Sequence, residues 1–272
     1  MEQGNGHATA SIDHPHDVGD GEHCSLSPLV YGFSYSPSED RIIEYLDSMS
    51  DNQAPESHIA ASHRGYALEE RRAIVLDPYP IGRISRGKVD VSYGFFNEYL
   101  YESHEHGPSK LLKAHRVMCG FEIYSLGQGD EEKVGCLRSN LFGTKYILYQ
   151  GEKAVLEIKY ATSIFKRRGP RSFSVLFTGI SGSSLKEPVV MRNKEPYYNA
   201  ETNSYSLNFN GRVTTPSVKN FQLIHPLEPT YVTLTFGKIS RFKYILDYTY
   251  PWSGVQAFAI ALAALDYKVG CD

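Results

Sequence analysis

The chain has 272 residues, of which 41% are hydrophobic, 12% aromatic and 22% charged, with a net charge of −3. Those figures fit a soluble globular protein of one large domain, or of one domain plus an appendage, and exclude collagen-like, coiled-coil and wholly disordered classes. Four cysteines (Cys24, Cys119, Cys136, Cys271) lie far apart without a CxxC pair, which favours a reducing compartment over a disulfide scaffold.

The charge is divided along the chain. Residues 1–79 hold 14 Asp and Glu against 4 Lys and Arg, a balance of −10, whereas residues 80–272 hold 17 against 24, a balance of +7. A basic body behind an acidic leader points to a polyanionic partner for the body.

Residues 1–28 are rich in Gly, His, Asp and Ser, have no apolar period and read as disordered. They show neither the basic nor the apolar region of a secretory signal. A short helix is predicted after Ser38 as N-cap, with Ile42, Ile43, Tyr45, Leu46 and Met49 on its apolar face. The phrase GFSYSPSEDRIIEYL there is similar, over those residues only, to the opening motif of the plant NAC transcription factors. Residues 51–77 read as a linker with one charged helical turn around Leu68–Arg72. The expected division is an acidic leader over 1–79 and a folded body over 80–272.

From Pro80 the texture changes to short runs rich in Tyr, Phe, Val, Ile and Thr, separated by Gly, Asn, Pro or Ser. GFEIYSL, TKYILYQ, AVLEIKY, SFSVLFT, SYSLNFNGRV and YVTLTFG are examples. Many short strands at close spacing predict an antiparallel sandwich or barrel. In Ser204–Val213 the residues Tyr205, Leu207, Phe209 and Val213 are expected to share one face.

The end of the chain breaks this pattern. Ser253 reads as the N-cap for GVQAFAIALAALD, an Ala- and Leu-rich segment whose helical wheel has no polar side beyond Gln256. A helix apolar all round must be buried on all sides or lie in a membrane. At about 1.5 Å per residue it is roughly 20 Å long, the height of a barrel and too short for a bilayer. The reading that satisfies both facts is a closed antiparallel β-barrel enclosing a hydrophobic carboxyl-terminal helix.

Several segments carry a family resemblance. LRSNLFGTKY at Leu137–Tyr146, GPRSFSV at Gly169–Val175, SLNFNGRVTTPSVKNFQ at Ser206–Gln222, FGK at Phe236–Lys238 and DYTYPWSGVQAFAIALAALDYKVGCD at Asp247–Asp272 resemble, in order, the tubby-like domain. The match is strong over 135–272 and weak over 80–134. The wording KNFQL and RNKEP is similar to the plant branch, whose F-box leader is not evident here. The resemblance implies a twelve-stranded barrel around a central helix and a protein that is not an enzyme and needs no cofactor. It implies binding of phosphatidylinositol bisphosphates, such as phosphatidylinositol 4,5-bisphosphate, at the cytoplasmic face of the plasma membrane, with possible cytosolic and nuclear pools. Alternatives in the same frame are a nuclear transcription regulator meeting DNA phosphates, and a protein-interaction adaptor with a degenerate lipid pocket, whose leader recruits partners.

A phosphoinositide head group needs two or more cations converging on one pocket, and Arg suits bidentate phosphate contact. The resemblance assigns such contacts to Arg138 of the LRSN segment and to a basic hairpin. In KLLKAHRVMCGFEIYSL that hairpin is thinned, leaving Lys113, His115 and Arg116, of which Lys113 and Arg116 are the expected contacts. Lys166, Arg167 and Arg168, with Arg171, form the densest positive cluster and are expected on the surface. Enzyme signals are poor: Gly179–Gly182 is no nucleophile elbow and Gly143-Thr144-Lys145 lacks P-loop spacing. His14-Pro-His16 and His104-Glu-His106 lack further ligand partners, so no metal site is expected. Cys119 near His115 reads as a core thiol, and by the resemblance Cys271 helps to seal the barrel end.

Overall fold

A computed structural model describes residues 68–94, 97–105, 109–127, 130–161, 171–180, 183–201 and 204–267. The predicted helix at 42–49, the acidic leader before residue 68, His14, His16, Cys24 and Cys271 lie outside the described residues.

The first described element is helix α1 (Leu68–Leu76). Strands β1 (Ser85–Ser92), β2 (Glu98–Ser103), β3 (Ser109–Val117) and β4 (Gly120–Leu126) follow. Next come β5 (Glu131–Ser139), β6 (Lys145–Gln150), β7 (Lys153–Tyr160), β8 (Phe173–Ile180) and β9 (Ser183–Asn193). The chain then forms β10 (Tyr197–Asn199), β11 (Ser204–Ser206), β12 (Phe221–His225), β13 (Glu228–Ser240) and β14 (Lys243–Tyr248). Helix α2 (Gly254–Leu265) is the last described element. Among the described residues, twelve strands close into an antiparallel barrel in the order β1-β14-β13-β12-β9-β8-β7-β6-β5-β4-β3-β2, and β10 and β11 pair as a separate ribbon.

The alternation along each strand explains the closure. In β4, Phe121 and Ile123 are fully buried while Glu122 and Tyr124 are half-buried on the outer face. Leu112 and Ala114 of β3, Leu137 of β5 and Tyr146 and Leu148 of β6 continue the inner layer. The space they enclose is filled by α2, all twelve of whose residues are buried. Its alanines let the strand walls approach, while Phe258, Ile260 and Leu262 fill the interior at about 1.5–3 kcal/mol each.

The lone polar residue of that helix, Gln256, is satisfied locally. Ser253 Oγ accepts from Gln256 N at 3.3 Å, and Gln256 Oε1 accepts from Ser253 N at 3.0 Å. This reciprocal cap satisfies two backbone donors, Gln256 N and Ser253 N, at a helix start buried in a dry environment.

Two local expectations differ from the structure. The run Ser204–Val213 is not one strand. Only Ser204–Ser206 pairs, with Tyr197–Asn199, and Asn210 (φ 50) and Gly211 (φ 72) turn the chain out of the extended conformation. The segment then lies on the outer wall, where Arg212 forms a bidentate pair with Asp247 and Val213 covers Gly237. The charged turn at Leu68–Arg72 extends to a nine-residue helix whose Val75 is fully buried against Gly254 at the start of α2.

Candidate functional site

The β3–β4 hairpin and the adjoining β5 position the three residues expected to contact phosphate, and their registers separate them. Arg116 pairs with Phe121, and Phe121 with Leu137, so Arg116 falls in phase with the barrel's inner layer. Arg138 pairs with Gly120 on one side and Ile147 on the other, in phase with the outer wall. The two arginines are thus close along the sheet but project to opposite faces of it.

Each cation meets a different environment. Lys113 lies between Glu131 and Glu98, 3.6 Å from the latter. The Glu131 contact raises its pKa further above the ordinary lysine range. Arg116 Nη1 stands 2.6 Å from Asp266 Oδ1, and Tyr146 Oη donates to Asp266 Oδ2 at 2.9 Å. Burial and that carboxylate push the Tyr146 hydroxyl well above its usual pKa. Arg138 is exposed, rests 5.4 Å over the Tyr149 ring and has no carboxylate partner among the described residues.

Beside Arg138 on the outer wall, Lys145 (3.1 Å) and Lys159 (2.5 Å) share Glu157. Burial pushes the Glu157 carboxyl up, but the two lysines outweigh it and hold the group below its ordinary range. Two cations share one anion there, and Arg138 adds a third positive charge. This patch can attract an anion but offers a single unengaged guanidinium.

Arg171, expected on the surface, is buried instead. Its Nη1 donates to Ala264 O at 2.9 Å, at the last turn of α2. Lys219 donates to Leu265 O at 2.8 Å beside it. Burial and the Arg171 charge bring the Lys219 pKa down to about 8. Arg116, Arg171 and Lys219 therefore all serve the carboxyl-terminal end of the buried helix, where unpaired carbonyls and the helix dipole concentrate negative potential. The role of Lys219 was missed from sequence, although its motif SVKNFQ was singled out; a lysine inside an otherwise specific phrase was the available signal. Lys166, Arg167 and Arg168 lie outside the described residues, and with them the surface on which a DNA-binding role would rest.

Cys119 is exposed at the β3–β4 turn, not a core thiol. The His115 ring packs edge-on to Tyr124 at 5.9 Å. Among the described residues no group of three His, Cys, Asp or Glu side chains is placed to hold a metal ion, and no helix is long and apolar enough to cross a membrane. A shallow cleft of about 570 Å³ between the start of β1 and the end of β2 is lined by Gly82, Arg86, His104 and Arg212, whose charge is taken up by Asp247.

Comparison with known proteins adds a second line. The model of the Tub family matches residues 179–267. The chain is 30% identical over 255 aligned residues to Tubby-related protein 1 of Homo sapiens, covering 75% of this chain and 47% of that protein. It is 30% identical over 258 residues to Tubby-related protein 3 of Homo sapiens, covering 75% and 58%. It is 33% identical over 245 residues to Protein king tubby of Drosophila sechellia, covering 73% and 55%. The chain spans about half the length of the curated relatives it matches.

Proposed function

The chain belongs to the Tub family, and on that premise we propose that it is a non-enzymatic peripheral membrane protein that binds phosphoinositide head groups, phosphatidylinositol 4,5-bisphosphate among them, at the cytoplasmic face of the plasma membrane. The observation that carries this reading is the state of Arg138. It is the arginine of the LRSN segment, it stands exposed over Tyr149, and it lacks the carboxylate that occupies Lys113 and Arg116. A guanidinium free to give two parallel hydrogen bonds suits a phosphomonoester. Lys145 and Lys159 lie beside it to add general attraction to an anionic leaflet.

The test is vesicle co-sedimentation with and without phosphatidylinositol 4,5-bisphosphate. Charge-assisted contacts contribute about 1.5–3 kcal/mol, so Arg138→Ala should weaken phosphoinositide-dependent binding about tenfold or more. Lys113→Ala should change it little. Binding indifferent to phosphoinositide content would sink the reading.

The engagement of Lys113 and Arg116 by carboxylates favours one second reading, an interaction adaptor with a reduced head-group site. It expects no vesicle binding above background, and capture of a protein partner by residues 1–79.

A further inference from the structure

One free guanidinium is a thin basis for membrane attachment, and the turns at the Arg138 end of the barrel have a composition that bears on this. Four hairpins meet there: β13–β14, β1–β2, β3–β4 and β5–β6, side by side in the strand order. Each puts a large apolar side chain in water. Phe242 is 41% exposed, Tyr93 60%, Met118 98%, Leu141 89% and Phe142 61%. The segments at the other end of the same strands carry, among the described residues, the polar or small His104, Glu105, Gly127, Asp130, Gly151 and Glu152, with Leu227 (66% exposed) and Ile84 (44%) as their exposed apolar side chains. Exposed apolar side chains are thus denser at the Arg138 end, with five across four adjacent turns, than at the opposite end of these strands.

These apolar tips are held by built loops. In the β5–β6 turn, Asn140 Oδ1 accepts from Thr144 N at 2.8 Å and from Lys145 N at 3.1 Å, and Asn140 Nδ2 donates to Thr144 Oγ1 at 2.9 Å. Gly143, at φ 65, is buried so closely that a Cβ would stand 2.4 Å from Tyr267 O. The loop thus buries its glycine and turns Leu141 and Phe142 outward. Ser139 N donates to Cys119 O at 3.1 Å, tying this turn to the Met118 turn. Val91 N donates to Phe242 O at 2.9 Å, and the Tyr93 and Phe242 rings meet edge-on at 5.2 Å.

Cations accompany the tips. Arg138 lies at the end of β5, directly before the Leu141–Phe142 turn, and Arg241 stands over Phe242 at 4.9 Å. Neither has a carboxylate partner among the described residues. Apolar side chains on turn tips, flanked by unpaired guanidinium groups, match the boundary of an anionic leaflet, where acyl chains lie just below phosphate.

We propose that this barrel end is a membrane wedge: Met118, Leu141 and Phe142 enter the boundary between head groups and acyl chains of an anionic leaflet, with Tyr93 and Phe242 at its edge, while Arg138 and Arg241 contact lipid phosphate. The inference deepens the head-group reading above and rests on it for the choice of lipid. It adds an orientation, with the carboxyl-terminal end of α2 toward the bilayer, and a second source of affinity.

The experiment uses the full chain carrying Phe142→Trp. The native Trp252 is fully buried, so it supplies a constant background. Vesicles of phosphatidylcholine alone, with phosphatidylserine, or with phosphatidylinositol 4,5-bisphosphate are prepared with and without brominated acyl chains. The expected result is a blue-shifted, bromine-quenched emission on phosphoinositide vesicles. Leu141→Asp should weaken vesicle binding about tenfold while the far-ultraviolet circular dichroism stays unchanged. Vesicle binding with no quenching of the introduced indole, and with Leu141→Asp binding as tightly as wild type, would overturn the wedge and leave the head-group reading standing. Quenching that phosphatidylserine alone supports in full would keep the wedge and overturn the head-group reading. Binding to none of the vesicles would overturn both. Self-association of the chain that Leu141→Asp abolishes, without vesicle binding, would reassign the face to a second copy and overturn the wedge.

Discussion

Arg116 and Asp266 meet at 2.6 Å across the mouth of the barrel, so a residue expected to reach for a lipid is paired with the end of the central helix. Asp266 is the C-cap of α2, and its backbone N–H donates to Leu262 O. Its carboxylate is held between the Arg116 guanidinium and the Tyr146 hydroxyl. The pair couples the β3–β4 hairpin to the core, and it separates the consequences of mutating the two arginines.

Arg116→Ala leaves the buried Asp266 carboxylate with one partner fewer. The expected cost is about 1–3 kcal/mol, read as a lower midpoint in urea unfolding. Arg138→Ala, on the exposed wall, should change stability by less than about 0.5 kcal/mol in the same measurement. If the two variants lose equal stability, the assignment of Arg116 to the helix end is wrong.

Gln256→Leu tests the reciprocal cap. The substitution suits the apolar surroundings of α2 but leaves Ser253 N without its acceptor at a buried helix start. A loss of about 1–3 kcal/mol is expected despite the added hydrophobicity. An unchanged or raised melting temperature would show that the Gln256 amide is dispensable.

Lys219 gives a pH signature. Its folded pKa is about 8, against about 10.4 for a free lysine. Below pH 8 both states hold the proton. Between about 8 and 10 the unfolded chain binds it and the folded protein does not, so stability from this group rises with pH by roughly 1–3 kcal/mol. The buried tyrosines act oppositely above pH 10, because Tyr146 keeps its proton in the fold while the unfolded chain ionises. The difference in unfolding free energy between wild type and Lys219→Met, followed from pH 7 to 10, should slope accordingly. A flat difference would mean that Lys219 stays charged beside Leu265 O.

Gly120→Ala tests the hairpin geometry. Gly120 has φ 124, and a Cβ there would stand 1.9 Å from Leu137 O. The β3–β4 turn cannot hold Met118 and Cys119 in place with a side chain at this position. A loss above about 2 kcal/mol is expected, with reduced vesicle binding at temperatures where the variant remains folded. Wild-type stability would mean that the turn relaxes freely.

Much of the architecture was legible in the sequence because it follows from short-range periodicity. Period-two alternation in GFEIYSL and YVTLTFG marks strands with one buried face, and a helix apolar on every side, as in GVQAFAIALAAL, has to be enclosed. The Ser253 cap was readable for the same reason, since it depends on residues three apart. Val75 was not readable, because a nine-residue helix shows no enclosure until α2 lies against it.

The site was less legible. The sequence by itself determined that cations cluster near Lys113, Arg116, Arg138 and Arg171, and that a barrel would present some of them. Only the tertiary structure decided their uses: Lys113 to Glu98 and Glu131, Arg116 to Asp266, Arg171 to Ala264 O, and Arg138 to the open wall. The partners of Arg116 and Arg171 lie at the far end of the chain, on a helix terminus whose carbonyls need donors. A one-dimensional pattern records which residues can pair, whereas the pairing itself depends on which inner or outer face each strand register turns toward them.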